Sequence, residues 1–115
     1  MTINIFNLRA LAADAGGEYV LGLRDLGTHA CYMIYGTVKP TDSPRLIKPG
    51  DGHEEIILCV SGELAVTGHI TCTLKEGESF HIVGEAECFL TASAPSVYVA
   101  AGGHSDEGHH HGHAH

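Results

Sequence analysis

Beyond residue 18 the chain breaks into nine short runs rich in β-branched and aromatic side chains, at 19–23, 28–38, 45–47, 54–60, 63–67, 70–74, 79–83, 88–92 and 96–101. Glycine, proline or charged clusters separate most of them, and the stretch from Lys39 to Pro44 is the one clear internal loop. So many short strands joined by tight turns mean an antiparallel sandwich or small barrel. Ahead of them Ile5, Leu8, Leu11, Ala12 and Ala15 recur at helical spacing over residues 4–15. The Gly16-Gly17 pair ends that run, which predicts a short N-terminal helix. The expected organisation is all-β, with one domain over 1–102 and a separate tail over 103–115.

Alternation assigns side chains to faces. In the strand after Thr28, His29, Cys31, Met33 and Tyr35 share one face while Ala30, Tyr32 and Ile34 share the other. Both faces are apolar enough to be covered, as in a strand lying between a core and a second sheet or a subunit partner. If the His29 face looks inward, that histidine approaches Cys59, Cys72 or Cys88; a hydrogen-bonded core histidine is the plainer reading. His69 follows a turn and His81 alternates out of phase with Phe80 and Ile82, so both are expected outside the barrel.

The tail concentrates one chemistry. His104, His109, His110, His111, His113 and His115 are six of the ten histidines in the chain. The segment carries no apolar residue larger than alanine, so it has no means of offsetting the cost of ordering and is expected to be disordered without a ligand. Imidazoles gathered on one flexible strand raise the local concentration of nitrogen donors, and they suit nickel, copper, zinc and cobalt. A purification tag is the other source of such a run, but glycine, alanine and the Asp106-Glu107 pair interrupt this one. Acidification through the ordinary histidine pKa, about 6.5, should release the metal.

The centre of the chain holds the second concentration of donors. In the run from Pro49 to Leu64 a polar turn feeds a strand that ends in a glycine turn, and period two places Asp51, His53, Glu55, Ile57 and Cys59 on one face. Glu55, the six residues after it and Gly62, followed by Gly77-Glu78-Ser79-Phe80-His81-Ile82-Val83-Gly84-Glu85-Ala86-Glu87-Cys88, resemble the two sequence motifs of the cupin superfamily. The resemblance covers about residues 45–101 and implies a cupin-like antiparallel β-barrel or jelly-roll sandwich. It also implies a metal held by two histidines, a glutamate and a third histidine. Of those four places only Glu55 is in register, because Pro49 and Asp51 stand at the histidine pair and Cys88 at the last histidine. A shifted ligand set of His53, Glu55, Cys88 and Asp51 is the alternative. The plain reading is that Glu54 and Glu55 are solvated or paired with Lys48, and that His53 hydrogen-bonds within its turn.

Composition narrows the function. Fourteen acidic against six basic side chains, the latter scattered singly, argue against a nucleic-acid surface and favour cation accumulation. No apolar stretch is long enough to span a bilayer and the N-terminus lacks the layout of a secretory signal, so a cytoplasmic protein is expected. Cys31, Cys59, Cys72 and Cys88 form no Cys-x-x-Cys pair. No nucleophile elbow, phosphate loop, His-Glu-x-x-His helix or dinucleotide fingerprint occurs, so no catalytic residue is assigned. The leading expectation is a metal-binding protein whose tail is a reservoir or delivery arm for nickel, cobalt, zinc or copper, similar in composition to the histidine-rich segments of nickel-insertion accessory proteins. The alternatives are a metal-dependent dioxygenase or isomerase, and a metal-free barrel binding a small molecule among Cys59, Cys72, Phe80, Ile82, Cys88, His29 and Met33. A homodimer is expected from the partly apolar outer face and exposed sheet edges.

Overall fold

The computed structural model describes residues 5–105. Helix α1 (Leu8–Asp14) is followed by β1 (Glu18–Leu21), a one-turn helix α2 (Leu23–Leu26), β2 (Cys31–Val38) and β3 (Arg45–Ile47). Then come β4 (His53–Ser61), β5 (Glu63–Gly68), β6 (Cys72–Lys75), β7 (Ser79–Val83), β8 (Cys88–Thr91) and β9 (Ser96–His104). All nine expected strands are present. Among the described residues no helix is long and apolar enough to cross a membrane.

The strands form two antiparallel sheets, one ordered β1-β2-β9-β4-β7 and the other β3-β8-β5-β6. Their inner faces supply the core: Val38, Ile57, Cys59, Val66, Leu64, Cys88, Leu90, Tyr98 and Ala100 are all at or below 1% exposure. The period-two pattern explains this division, since β4 alternates between buried Glu55, Ile57, Cys59 and exposed Ile56, Leu58, Val60. Gly62 closes the turn from β4 to β5 with a left-handed φ of 84°, and the Ser96 hydroxyl ties that turn to β9 by accepting from the Glu63 amide at 3.1 Å.

At the N-terminus the Asn7 side chain accepts from the Ala10 amide and starts α1. The Gly17 amide donates back to the Ala12 carbonyl at 2.8 Å and ends it, so the two glycines do stop the helix. The helix buries Ala12 and lies against β1 and β2.

Three expectations need correction. Helix α2 was not anticipated, because Leu23 read as the end of a strand and 24–27 as the connection to the next. The His29 face of β2 looks outward: Cys31 is exposed, Met33 is 39% exposed, and His29 lies in the bend before the strand. The small-molecule lining is therefore divided, with Cys59, Ile82 and Cys88 inside and His29, Met33 and Cys72 outside. Finally, the domain does not stop at residue 102. β9 runs on to His104, with Gly103 opposite Cys31 and Glu54, and His104 opposite His53.

Candidate functional site at the barrel rim

Strand β4 starts from the Asp51-Gly52 turn, and its first inward side chains are His53 and Glu55. The His53 ring nitrogen Nδ1 lies 3.1 Å from the Asp51 carbonyl oxygen. A carbonyl can only accept, so Nδ1 carries the hydrogen, and in the neutral ring Nε2 keeps its lone pair. Metal-binding histidines are oriented in this way, through a hydrogen bond from the other ring nitrogen.

Glu55 sits one step deeper, at 4% exposure. Its Oε2 accepts a hydrogen bond from the Tyr32 hydroxyl on β2, while its buried Oε1 has no hydrogen-bond partner among the described residues. Burial pushes the Glu55 carboxyl above the ordinary glutamate value, with the Tyr32 hydrogen bond opposing. The Tyr32 hydroxyl is raised in turn, by its own burial and then by the Glu55 carboxylate. A buried carboxylate with one bare oxygen is an acceptor awaiting a cation or a donor.

Two more imidazoles adjoin this pair. The His104 and His53 ring centroids are 5.2 Å apart, His53 and Tyr32 are 6.3 Å apart, and His29 and His104 are 5.0 Å apart. The His29 Nδ1 and His104 Nε2 atoms approach to 3.0 Å, one donating and the other accepting. Tyr32, His53, His104 and His29 thus form a row of rings along the rim, with the Glu55 carboxyl beneath it.

This row is not the shifted four-ligand shell. Among the described residues, no three or more His, Cys, Asp or Glu side chains surround a common point in the geometry of a metal site. Asp51 is exposed in the turn and contributes its carbonyl. Cys88 is buried in β8 of the other sheet, opposite Ile47 and Gly68. Of the proposed ligands, the structure brings His53, Glu55 and His104 to one end of the barrel and leaves Asp51 and Cys88 out. His109, His110, His111, His113 and His115 lie outside the described residues.

The solvated or Lys48-paired reading of Glu55 fails as well. Lys48 pairs with Glu85 at 3.8 Å and Glu87 at 3.2 Å. Glu54 points outward to His81, which is exposed as expected, at 2.7 Å. Sequence reasoning missed His29 and Tyr32 as rim residues. Period two carried through the bend at His29 put it on the wrong side, whereas Tyr32, two positions before inward Ile34, could have been found by parity.

No family model matches the sequence, and no curated protein matches it. Solved structures do match. A cupin protein from Bacteroides fragilis superposes with a TM-score of 0.65 at 15% identity, over 77% of each chain. An RmlC-like cupin from Shewanella frigidimarina gives 0.57 at 14% identity, over 70% of this chain and 71% of that one. A Thermus thermophilus protein gives 0.65 at 13% identity, over 89% and 98%. At these identities the likeness shows the fold alone, a cupin-like fold.

Proposed function

We propose that the protein binds a divalent transition metal, nickel, cobalt, zinc or copper, and that its barrel is the frame from which the histidine-rich terminal segment works as reservoir or delivery arm. The observation that carries this reading is the position of His104. It is the first imidazole of that segment, and it is seated in β9 against His53 and His29, above a buried carboxylate with an unpartnered oxygen. The arm therefore leaves the barrel at the place where the barrel's own nitrogen donors stand, and an ion moving between arm and barrel has a short path. The excess of acidic side chains, fourteen to six, favours cations around the whole surface.

The test is equilibrium dialysis with elemental analysis, comparing the full chain with one ending after Ser105. The full chain should retain several ions, and removal of residues 106–115 should abolish most of that capacity; a full chain that retains no ion overturns the reading.

One observation favours a second reading, a ligand inside the barrel mouth. The bare Oε1 of Glu55 would serve either a metal-dependent enzyme of the dioxygenase or isomerase class or a small-molecule binder. A single tightly held ion or organic molecule that survives removal of residues 106–115 and is lost in Glu55→Gln would favour it. In both readings the protein pairs with a second copy through the outer face of the larger sheet, where Met33, Ile56, Leu58 and Val60 are 37–53% exposed. Sedimentation of Ile56→Glu should then report a monomer.

A further inference from the structure

Away from the rim, the far ends of β2 and β9 build a further concave site. Helix α1 lies against β1 and β2, and the Thr37 amide ties the turn after it to β2 by donating to the Gly17 carbonyl at 2.8 Å. Val38 of β2 stands opposite Ser96 of β9, where the turn from Lys39 to Asp42 departs and Pro95 leads in. Between these segments lies a cavity of about 470 Å³, within the range of roughly 300–1,000 Å³ typical of small-molecule sites. The length of β2, from Cys31 to Val38, separates it from the row of rings by roughly 23 Å at ordinary strand rise.

We infer that this cavity binds a small organic acid, its carboxylate held by Arg9 and Lys39 and its apolar body seated on Ala13, Pro95 and Val97. The inference goes beyond both readings of the rim and depends on neither.

The charges set the sign of the ligand. The chain carries only six Lys and Arg side chains and a net charge of -8, yet Arg9 and Lys39 line this one cavity. Among the described residues neither has an ion-pair partner. The carboxylate in the wall, Asp42, is already engaged: its Oδ2 accepts from the Lys39 backbone amide at 2.9 Å and lies 3.9 Å from Arg45 Nη2. Two cations at one cavity repel each other, and an anion between them turns that repulsion into attraction.

The remaining polar groups narrow the ligand further. The Ser96 hydroxyl accepts from the Glu63 amide and is within donating distance of the Ala94 and Glu63 carbonyls, at 2.9 and 3.1 Å. The Thr37 hydroxyl donates to the Gly17 carbonyl at 3.4 Å. Pro95 has no amide hydrogen. The neutral donors that would read a sugar or a nucleobase are therefore used within the protein, and a hydroxyl-rich ligand would give up water for few new partners. A phosphate has three strong acceptor oxygens to satisfy, and the cavity adds no free amide to its two cations. A carboxylate needs only those two, through charge-assisted hydrogen bonds, and a branched or aromatic carbon frame buries apolar area against the walls.

The test is calorimetric titration of the full chain, treated with chelator so that the rim holds no ion. The ligands are benzoate and phenylacetate, with benzamide and inorganic phosphate as the two halves of the chemistry. Both acids should bind saturably, and each half should bind at least about tenfold more weakly. Arg9→Gln and Lys39→Gln should each raise the Kd of the acids about tenfold, the scale of one charge-assisted hydrogen bond. Ala13→Trp, at an exposed helical position, should fill the cavity and abolish binding while the melting temperature stays at the wild-type value. Lys75→Gln, on β6 of the other sheet, removes the same charge away from the cavity and should leave Kd unchanged.

Failure of both acids to bind overturns the inference. So does binding that survives Ala13→Trp, benzamide or phosphate binding as tightly as the acids, or an equal response to Lys75→Gln and Arg9→Gln. Arg9→Gln, also at an exposed helical position, keeps the test decisive if Ala13→Trp fails to fold. Either result leaves the metal-binding reading where it stands.

Discussion

Two tyrosine–carboxylate pairs line the larger sheet, and they differ in one respect. On β9, Tyr98 is fully buried; its hydroxyl donates to Glu18 and accepts from Arg45 Nη1 at 3.1 Å. Arg45 also donates to the Thr37 carbonyl at 3.1 Å and lies 3.7 Å from Glu18 and 3.9 Å from Asp42. Burial alone would lower the Arg45 pKa, but Tyr98, Glu18 and Asp42 together hold it above the ordinary arginine value. On β2, Tyr32 donates to Glu55, and the other Glu55 oxygen is bare. The first carboxylate has a resident cation. The second has a row of imidazoles beside it and no arginine or lysine among its hydrogen-bond or ion-pair partners. A buried carboxylate is tolerable when a cation or full hydrogen bonding compensates it, so the difference separates a finished structural network from an unfinished site.

The largest test of that contrast removes each ring. Tyr98→Ala should cost about 3–5 kcal/mol, the range for deleting a fully buried aromatic, and should lower the urea midpoint sharply. Tyr32→Ala, at a half-buried position on the rim, should cost clearly less. Equal losses would mean that both pairs are structural.

Each tyrosine also lies over a glycine. A Cβ at Gly36 would overlap the Tyr98 ring, and one at Gly102 would overlap the Tyr32 ring and stand 2.8 Å from the Glu54 carbonyl. Gly36→Ala and Gly102→Ala should each destabilise by about 1–3 kcal/mol, the usual cost of overpacking. The comparison predicts different companions for that loss. Gly36→Ala should leave metal uptake unchanged, while Gly102→Ala should shift the rim and lower it. Arg45→Met comes next: it strands Glu18 and should cost about 1–2 kcal/mol, within the range for an unsatisfied charged partner and held down because both side chains are partly exposed, at 18% and 34%. Thermal melts at low and high salt check this, since a loss that disappears at high salt would reduce Arg45 to a surface charge.

The glycines show where the sequence was legible and where it was not. Strand alternation exposed the inward row of His53, Glu55, Ile57 and Cys59, and Glu55 with Gly62 marked the β4–β5 turn, because both signals are local. Gly102 and Gly103 read as the boundary between domain and tail for the same local reason: they offer no side chain to bury. In the fold they are glycines because Tyr32, the Glu54 carbonyl and the Ala30 carbonyl occupy the space a Cβ would need. That requirement comes from residues some fifty to seventy positions away in sequence, and no window along the chain contains it. The His29–His104 contact was hidden likewise, spanning 75 positions and depending on a bend that breaks period two.

The smallest effect is also the most discriminating, because its size depends on pH. The Glu55 carboxyl is held above its ordinary value, first by burial and against the pull of the Tyr32 hydrogen bond. The folded state therefore binds the Glu55 proton more tightly than the unfolded chain does. This contribution to stability is fully present below the unfolded value, about 4.3, and is lost as pH rises through the raised folded value. Glu55→Gln keeps an oxygen for Tyr32 and carries no charge at any pH. In chelator-treated protein the variant should match wild type near about pH 4 and exceed it by roughly 1 kcal/mol near about pH 8, the scale of one unsatisfied buried acceptor. Arg45 supplies the countercharge at Glu18, so Glu18→Gln should remove an ion pair and weaken the protein. If Glu55→Gln tracks wild type in parallel across the range, the bare oxygen of Glu55 no longer distinguishes the rim from the opposite network.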